Sequence, residues 1–279
     1  MSFTLVNHEN ADKVDAGLKV FSGLFSYIID HLSKHKDDIG NIFMKTLQHP
    51  QLDLKLSALQ ATCNYLQICE RKDAKPFKAL LPQMTAVITQ ALQEDDETVL
   101  EDALVEFNEL AEVEPNFFKA AFNDLYAGLK PICERNDFAN NNIRHQPLEF
   151  ILTLIERAPS VVKKDKTYTV LKDILEQIFK IMIDIDEDID EAWLKPKEGY
   201  TLEEEEDDTN VKFGQSSVDR LVSCIGDEIM LPLIGQLVTS TMANESDWRY
   251  KNAGIMAFSQ VGEYVDEAKK IESMVPVLL

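Results

Sequence analysis

The chain has 279 residues, 45% of them hydrophobic and 28% charged, with a formal net charge of −21 at pH 7. Such a mix is ordinary for a fold with a large core, but so acidic a surface repels nucleic acid and anionic lipid and attracts basic proteins. No apolar run approaches the roughly 18 residues of a membrane span, no charged-then-apolar leader opens the chain, and Cys63, Cys69, Cys133 and Cys224 lack the spacing of a disulfide or zinc framework.

Apolar residues three or four apart predict a helix over 11–32, with Leu18, Phe21, Leu24, Phe25 and Ile28 on one stripe. Helix pairs follow at 38–48 and 52–70 across His49, Pro50 and Gln51, and at 76–93 and 97–113 across Glu94, Asp95 and Asp96. A further pair spans 117–134 and 141–157 across Arg135 to Asn140, and Pro147 should kink its second member. Helix 168–184 leads into an acidic segment, helix 215–226 resumes the pattern, and another helix begins at 267. The most regular stretch is Met230 to Glu263. In its first half Met230, Leu233, Ile234, Leu237, Val238 and Met242 share a face, and Pro232 sits near the start, where its missing donor costs little. Asp247 is placed to cap the second half. There Tyr250, Gly254, Ala257, Val261 and Val265 form a stripe, and small Gly254, Ala257 and Gly262 admit a close neighbour. No stretch alternates as a strand does, so the fold class is all-α.

The helices repeat. Leu81, Pro82, Val87, Ile88, Thr89, Leu92 and Ala103 superpose without a gap on Leu231, Pro232, Leu237, Val238, Thr239, Met242 and Ala253. Leu47, Ala58 and Leu59 fall on Leu92, Ala103 and Leu104, and Leu104, Leu110 and Glu112 on Leu148, Leu154 and Glu156. The last two shifts, 45 and 44 residues, are the length of two-helix HEAT repeats, roughly 40–47 residues. The expected architecture is an α-α superhelix of antiparallel pairs, with first helices outside and second helices inside. Residues 1–279 are expected to form a single solenoid interrupted by an acidic insertion at about 184–214, and the apolar run Val275 to Leu279 reads as a cut within a longer protein.

Asp247-Trp248-Arg249-Tyr250-Lys251, leading into Ala253-Gly254-Ile255-Met256-Ala257, resembles a hallmark repeat of the importin-β superfamily of nuclear transport receptors. Ser217-Val218-Asp219-Arg220-Leu221, followed by Leu231-Pro232, is similar to the importin-five branch, where an acidic interruption like the one around Trp193 holds a comparable place. The resemblance implies a central block of roughly five to six repeats, with basic cargo of the ribosomal-protein or histone type, Ran-GTP and phenylalanine-glycine nucleoporins as partners. It also implies a monomer shuttling between cytoplasm and nucleus.

Two constellations carry that expectation. The first is the loop with Asp186, Glu187 and Asp188 and the run Glu203, Glu204, Glu205, Glu206, Asp207 and Asp208. It reads either as a solvated spacer or as an electrostatic arm for cargo or Ran. The second is the polar side of successive second helices, with Glu101, Asp102, Glu106 and Glu109, then Asn142, His145, Glu149 and Thr153, then Asp219. Glu101, Asp102, Glu106, Glu109, Glu149 and Asp219 are the candidate cargo ligands, since carboxylates on stacked helices suit the lysines of an import signal; the alternative is an ordinary solvated face. Tyr250 is expected in the core, and Trp248 either covering the turn between repeats or forming part of a peptide-binding groove, the packing role being favoured because tryptophan is buried on average. Phe43, Phe117, Phe118 and Phe179 are expected mostly in the core.

No GxxxxGKS/T loop, GxSxG elbow or HExxH pair occurs, so no enzyme, cofactor or metal is expected. The function that emerges is a nuclear import receptor fragment that binds basic localisation signals and releases them to Ran-GTP. The alternative is a HEAT-repeat scaffold for a complex unconnected with transport.

Overall fold

In the computed structural model, which describes residues 8, 10–185, 210–265 and 271–272, helices account for most of the chain and no strand occurs among the described residues. The helices are α1 (Ala11–Leu32), α2 (Lys36–Leu47), α3 (Leu52–Ile68), α4 (Leu81–Gln93), α5 (Glu97–Val113), α6 (Phe122–Glu134), α7 (Asn142–Arg157), α8 (Thr169–Ile183), α9 (Asn210–Ile225), α10 (Asp227–Met242) and α11 (Trp248–Gly262). They fall into two compact units, Met1–Val161 and Val162–Leu279.

Each boundary has a local cause. Asn10 caps α1 by accepting from Lys13 N at 3.1 Å, and Asp96 caps α5 by accepting from Val99 N at 3.1 Å. Asp247 accepts from Arg249 N at 3.0 Å and also takes the Arg249 guanidinium through both oxygens, which holds its carboxyl below the usual range. Its expected capping role is met. Gly226 joins α9 to α10 at φ +101°, a conformation that L side chains rarely adopt. The starts of the expected 76–93 and 117–134 helices are 3-10 turns, so α4 and α6 begin at Leu81 and Phe122. Helix α7 runs on past Pro147 to Arg157.

In the first unit α1, α3, α5 and α7 pack side by side in succession, and α2, α4 and α6 each pair with the helix that follows. The stacked layer is therefore built of second helices, with α1 as its first described member. A continuous ring cluster joins the layers: Phe21, Phe25, Phe43, Tyr65 and Phe77 sit with centroids 4.6–6.4 Å apart. A second cluster of Phe107, Phe117, Phe118 and Phe150 does the same one repeat later. Burial pushes the Tyr65 hydroxyl up to about 12, with Cys69 and Asp73 adding to the shift.

The repeat length reappears in the hydrogen bonds. Asn64 donates to Ser22 and Ser57 to Asp15, each pair 42 residues apart, and Arg71 pairs with Glu114, 43 residues on. In the second unit α8 pairs with α9, α10 with α11, and α9 stacks on α11.

Four expectations change. Leu24 is 40% exposed, because α3 covers the Leu18–Phe21–Phe25 side of α1 and leaves Leu24 with Val20 and Tyr27 outside. Tyr250 is half-buried rather than in the core. Trp248 is 56% exposed instead of covering a turn: it shares a side of α11 with exposed Ile255, two turns on, while α9 and α10 meet the other sides. Gly262 has open space around it, but Gly254 does sit close to α10, and a Cβ there would lie 2.5 Å from Thr241 Oγ1.

Gly254→Ala should therefore lose about 1–3 kcal/mol to overpacking, partly offset by about 1 kcal/mol of helix propensity. Thr241→Ala in the same chain should recover most of the loss, as thermal denaturation of the four members of the cycle would read.

Candidate functional site

Helix α5 is the centre of the acidic surface. It carries six acidic residues, Glu97, Glu101, Asp102, Glu106, Glu109 and Glu112, and no basic one. Val99, Leu100, Ala103, Leu104, Phe107, Leu110 and Ala111 take its buried side, which leaves the carboxylates the rest of the circumference. Asp102 and Glu109 are exposed, and Glu101 and Glu106 are half-buried. Glu149 is half-buried on the adjacent α7. Asp219 belongs to the second unit, on α9.

These carboxylates are tied to neighbouring repeats by neutral donors. Asn140, just before α7, donates to Glu101 Oε1 at 3.2 Å, and Gln67 on α3 donates to Glu109 Oε2 at 3.5 Å. In the second unit Tyr264 Oη donates to Asp219 Oδ1 at 2.7 Å, and this bond holds the Tyr264 hydroxyl above its ordinary range. The partners lie 39, 42 and 45 residues apart, about one repeat in each case.

Cations are placed differently. Lys36 pairs with Asp73 at 3.5 Å, Arg71 with Glu114 at 3.1 Å and Arg135 with Asp95 at 2.8 Å, all at the connections between helices. Among the described residues no lysine or arginine forms an ion pair with Glu101, Asp102, Glu106, Glu109 or Asp219. Glu106 is the extreme case. One of its oxygens, Oε2, is buried without a hydrogen-bond partner, and its carboxyl is pushed up to about 7, first by burial and then by Glu109 and Asp102. Burial, then Glu106 and Glu109, push the Cys63 thiol of α3 well up.

The structure thus brings four candidates together on α5, with Glu149 on the next helix of the stack. His145 and Thr153, expected on the same polar side, are buried instead. Asp186, Glu187, Asp188, Trp193 and Glu203 to Asp208 lie outside the described residues. The helices that flank them meet, since Asn210 Nδ2 donates to the Asp184 carbonyl at 2.7 Å. Phe43, Phe117, Phe118 and Phe179 are all buried. All four cysteines are free. No group of His, Cys, Asp and Glu among the described residues is arranged to hold a metal ion, and no described helix is long and apolar enough to cross a membrane. Sequence reasoning missed Gln67, Asn140 and Tyr264. Their one signal is a spacing near the repeat length from an acidic residue, easily lost among polar positions.

Antiparallel helix pairs stacked at this period define a HEAT-repeat array. Solved structures of the karyopherin Kap121p share the fold: bound to the extreme C-terminus of the protein phosphatase Cdc14p it aligns at a TM-score of 0.80 with 19% identity over 98% of this chain, and bound to RanGTP at 0.78 with 20% identity. In both cases the match covers 26% of the Kap121p chain. The family model described as "IPO5-like, TPR repeats" matches residues 2–127, and "Importin repeat" matches residues 136–232. Among curated relatives, the probable importin-5 homolog of Dictyostelium discoideum is 25% identical over 259 residues, 90% of this chain and 23% of its own length. Importin subunit beta-3 of Saccharomyces cerevisiae is 23% identical over 247 residues, 85% of this chain and 22% of its own length. The chain belongs to the importin-β superfamily, on its importin-5 side, and spans less than a quarter of these two curated relatives.

The raised Glu106 carboxyl has a stability consequence. Its folded value of about 7 lies above the ordinary 4.5, so folding gains from this group at low pH and loses that gain as pH rises from near 4.5 through 7. Glu106→Gln should match the parent at pH 4 and exceed it at pH 8. The difference should be on the order of 1 kcal/mol once solvent screening of this part-exposed group is allowed for. Paired denaturation midpoints at the two pH values measure it.

Proposed function

We propose that the chain is part of a nuclear import receptor whose second-helix face takes up the basic segment of a cargo protein. What carries the reading is the row of carboxylates at Glu101, Asp102, Glu106 and Glu109 on α5, none of which pairs with a lysine or arginine among the described residues; Glu149 on α7 and, in the second unit, Asp219 are further candidates. Lysines or arginines of an extended ligand complete these groups through many weak pairs, each screened by salt. Cargo of the ribosomal-protein or histone type has the matching charge. The family is one of transport receptors rather than enzymes, and no reacting group is assigned to this chain.

The relatives support the remaining partners. Kap121p has been seen bound to Pho4p, to Nup53p and to RanGTP. For this chain we infer basic cargo, Ran-GTP and phenylalanine-glycine nucleoporins as ligands of the whole receptor, with shuttling through the nuclear pore. Release follows if cargo and Ran-GTP favour different states of one flexible stack, since each ligand shifts the equilibrium by its differential affinity. The acidic segment from Asp186 to Asp208 is proposed as an electrostatic contact for cargo or Ran.

The test is capture of a lysine-rich import signal by the full-length protein, with and without Ran-GTP. Capture should fall when Ran-GTP is added, and Glu106→Lys with Glu109→Lys should weaken it by at least tenfold at low salt, as like charges replace attraction. Capture indifferent to Ran-GTP would instead favour a scaffold that has no part in transport.

A further inference from the structure

We propose that Asn140 and Gln67 in the first unit, and separately Tyr264 in the second, are positioning residues, holding Glu101, Glu109 and Asp219 in ligand-ready orientations without cancelling their charge. This rests on the reading of the acidic surface of each unit as a cargo surface. The observation behind it is the chemistry of the donors. Each of the three carboxylates accepts from a phenol or a carboxamide supplied by an adjacent repeat, at 2.7, 3.2 and 3.5 Å. None of the three accepts from a lysine or arginine among the described residues.

The distinction has a physical consequence. A carboxylate offers about four lone-pair sites. One neutral donor fixes its rotamer and leaves the full negative charge and the remaining sites for an incoming ammonium or guanidinium. A cationic donor would fix the rotamer equally well but would remove the charge that attracts the ligand. The connections between helices show that alternative, where Arg71 and Lys36 neutralise Glu114 and Asp73. A carboxylate already held gives up less side-chain freedom on binding, which improves affinity by about two- to tenfold per group.

The tie of Tyr264 is the best test, because one hydroxyl makes it and Tyr264 is itself 38% exposed; that hydroxyl also accepts from Ser223, so Ser223→Ala is its control and should leave binding unchanged. Asn140 is less clean, since its side chain also accepts from Asn142 N at the start of α7. In the full-length receptor, Tyr264→Phe should weaken binding of a lysine-rich peptide by about two- to tenfold. The salt dependence of binding should keep its slope, because no charge has been removed. Asp219→Asn should weaken binding at least as much and flatten the salt dependence. Gln67→Leu and Glu109→Gln form a second pair on the first unit with the same expected contrast. If Asp219→Asn and Glu109→Gln weaken binding while Tyr264→Phe and Gln67→Leu leave it unchanged, the cargo surface stands and the positioning role is overturned. If neither carboxamide replaces its acid at any cost, the cargo surface itself is overturned at these positions. Should Tyr264→Phe change the salt slope or lower the melting temperature in step with the affinity, the hydroxyl acts through the fold and the positioning role also fails.

Discussion

A two-helix repeat of this kind has more apolar surface than it can cover alone, and the contact between successive second helices is the constraint on which the rest depends. In the first unit α3 buries Ala58, Cys63, Tyr65 and Leu66, and α5 buries Val99, Leu104, Phe107 and Ala111, each with neighbours on more than one side. Rings from three consecutive helices and a connection meet in the Phe25–Phe43–Tyr65–Phe77 cluster. Every helix of the stacked layer therefore has its polar side set by where its neighbours lie. The acidic face is a by-product of that packing: α5 commits seven of its apolar residues to its neighbours, and its six carboxylates share the remaining side with exposed Val105 and Val113.

Electrostatics then sorts the charges by place. Lys36 and Arg71 sit at the connections, where they pair with the largely buried acids Asp73 and Glu114. The stacked face of α5 keeps acids and neutral donors. Concentrating like charges has a cost, visible in Glu106, whose carboxyl is pushed up to about 7 by burial and by the acids beside it. A fold selected for stability alone would replace it with glutamine, whereas a surface that must attract lysines tolerates the strain.

Much of this was legible beforehand. The periodic apolar stripes placed most helices to within a few residues; α4 and α6 begin later than expected, α9 begins at Asn210 rather than 215 and so shortens the expected 184–214 insertion, and the helix expected from 267 lies largely outside the described residues. The register of Leu47, Ala58 and Leu59 on Leu92, Ala103 and Leu104 revealed a repeat close to the 42- and 43-residue spacing of the hydrogen bonds. The capping by Asp247 and the close approach at Gly254 followed from local chemistry. The misses share a cause. Trp248, Leu24, His145 and Thr153 lie at the margins of helix stripes, where a rotation of one residue step decides between burial and exposure. That rotation depends on the crossing of two helices, which no single helix encodes. The neutral ties were invisible for another reason: a phenol 45 residues from an aspartate says nothing until the stack brings them to 2.7 Å.

The bond between Asn210 and the Asp184 carbonyl separates two design problems. Because α8 and α9 already pack on each other and meet at their near ends, the segment joining them has no span to bridge. The packing of α8 on α9 thus asks nothing of that segment's length and leaves its charge to be set by other demands.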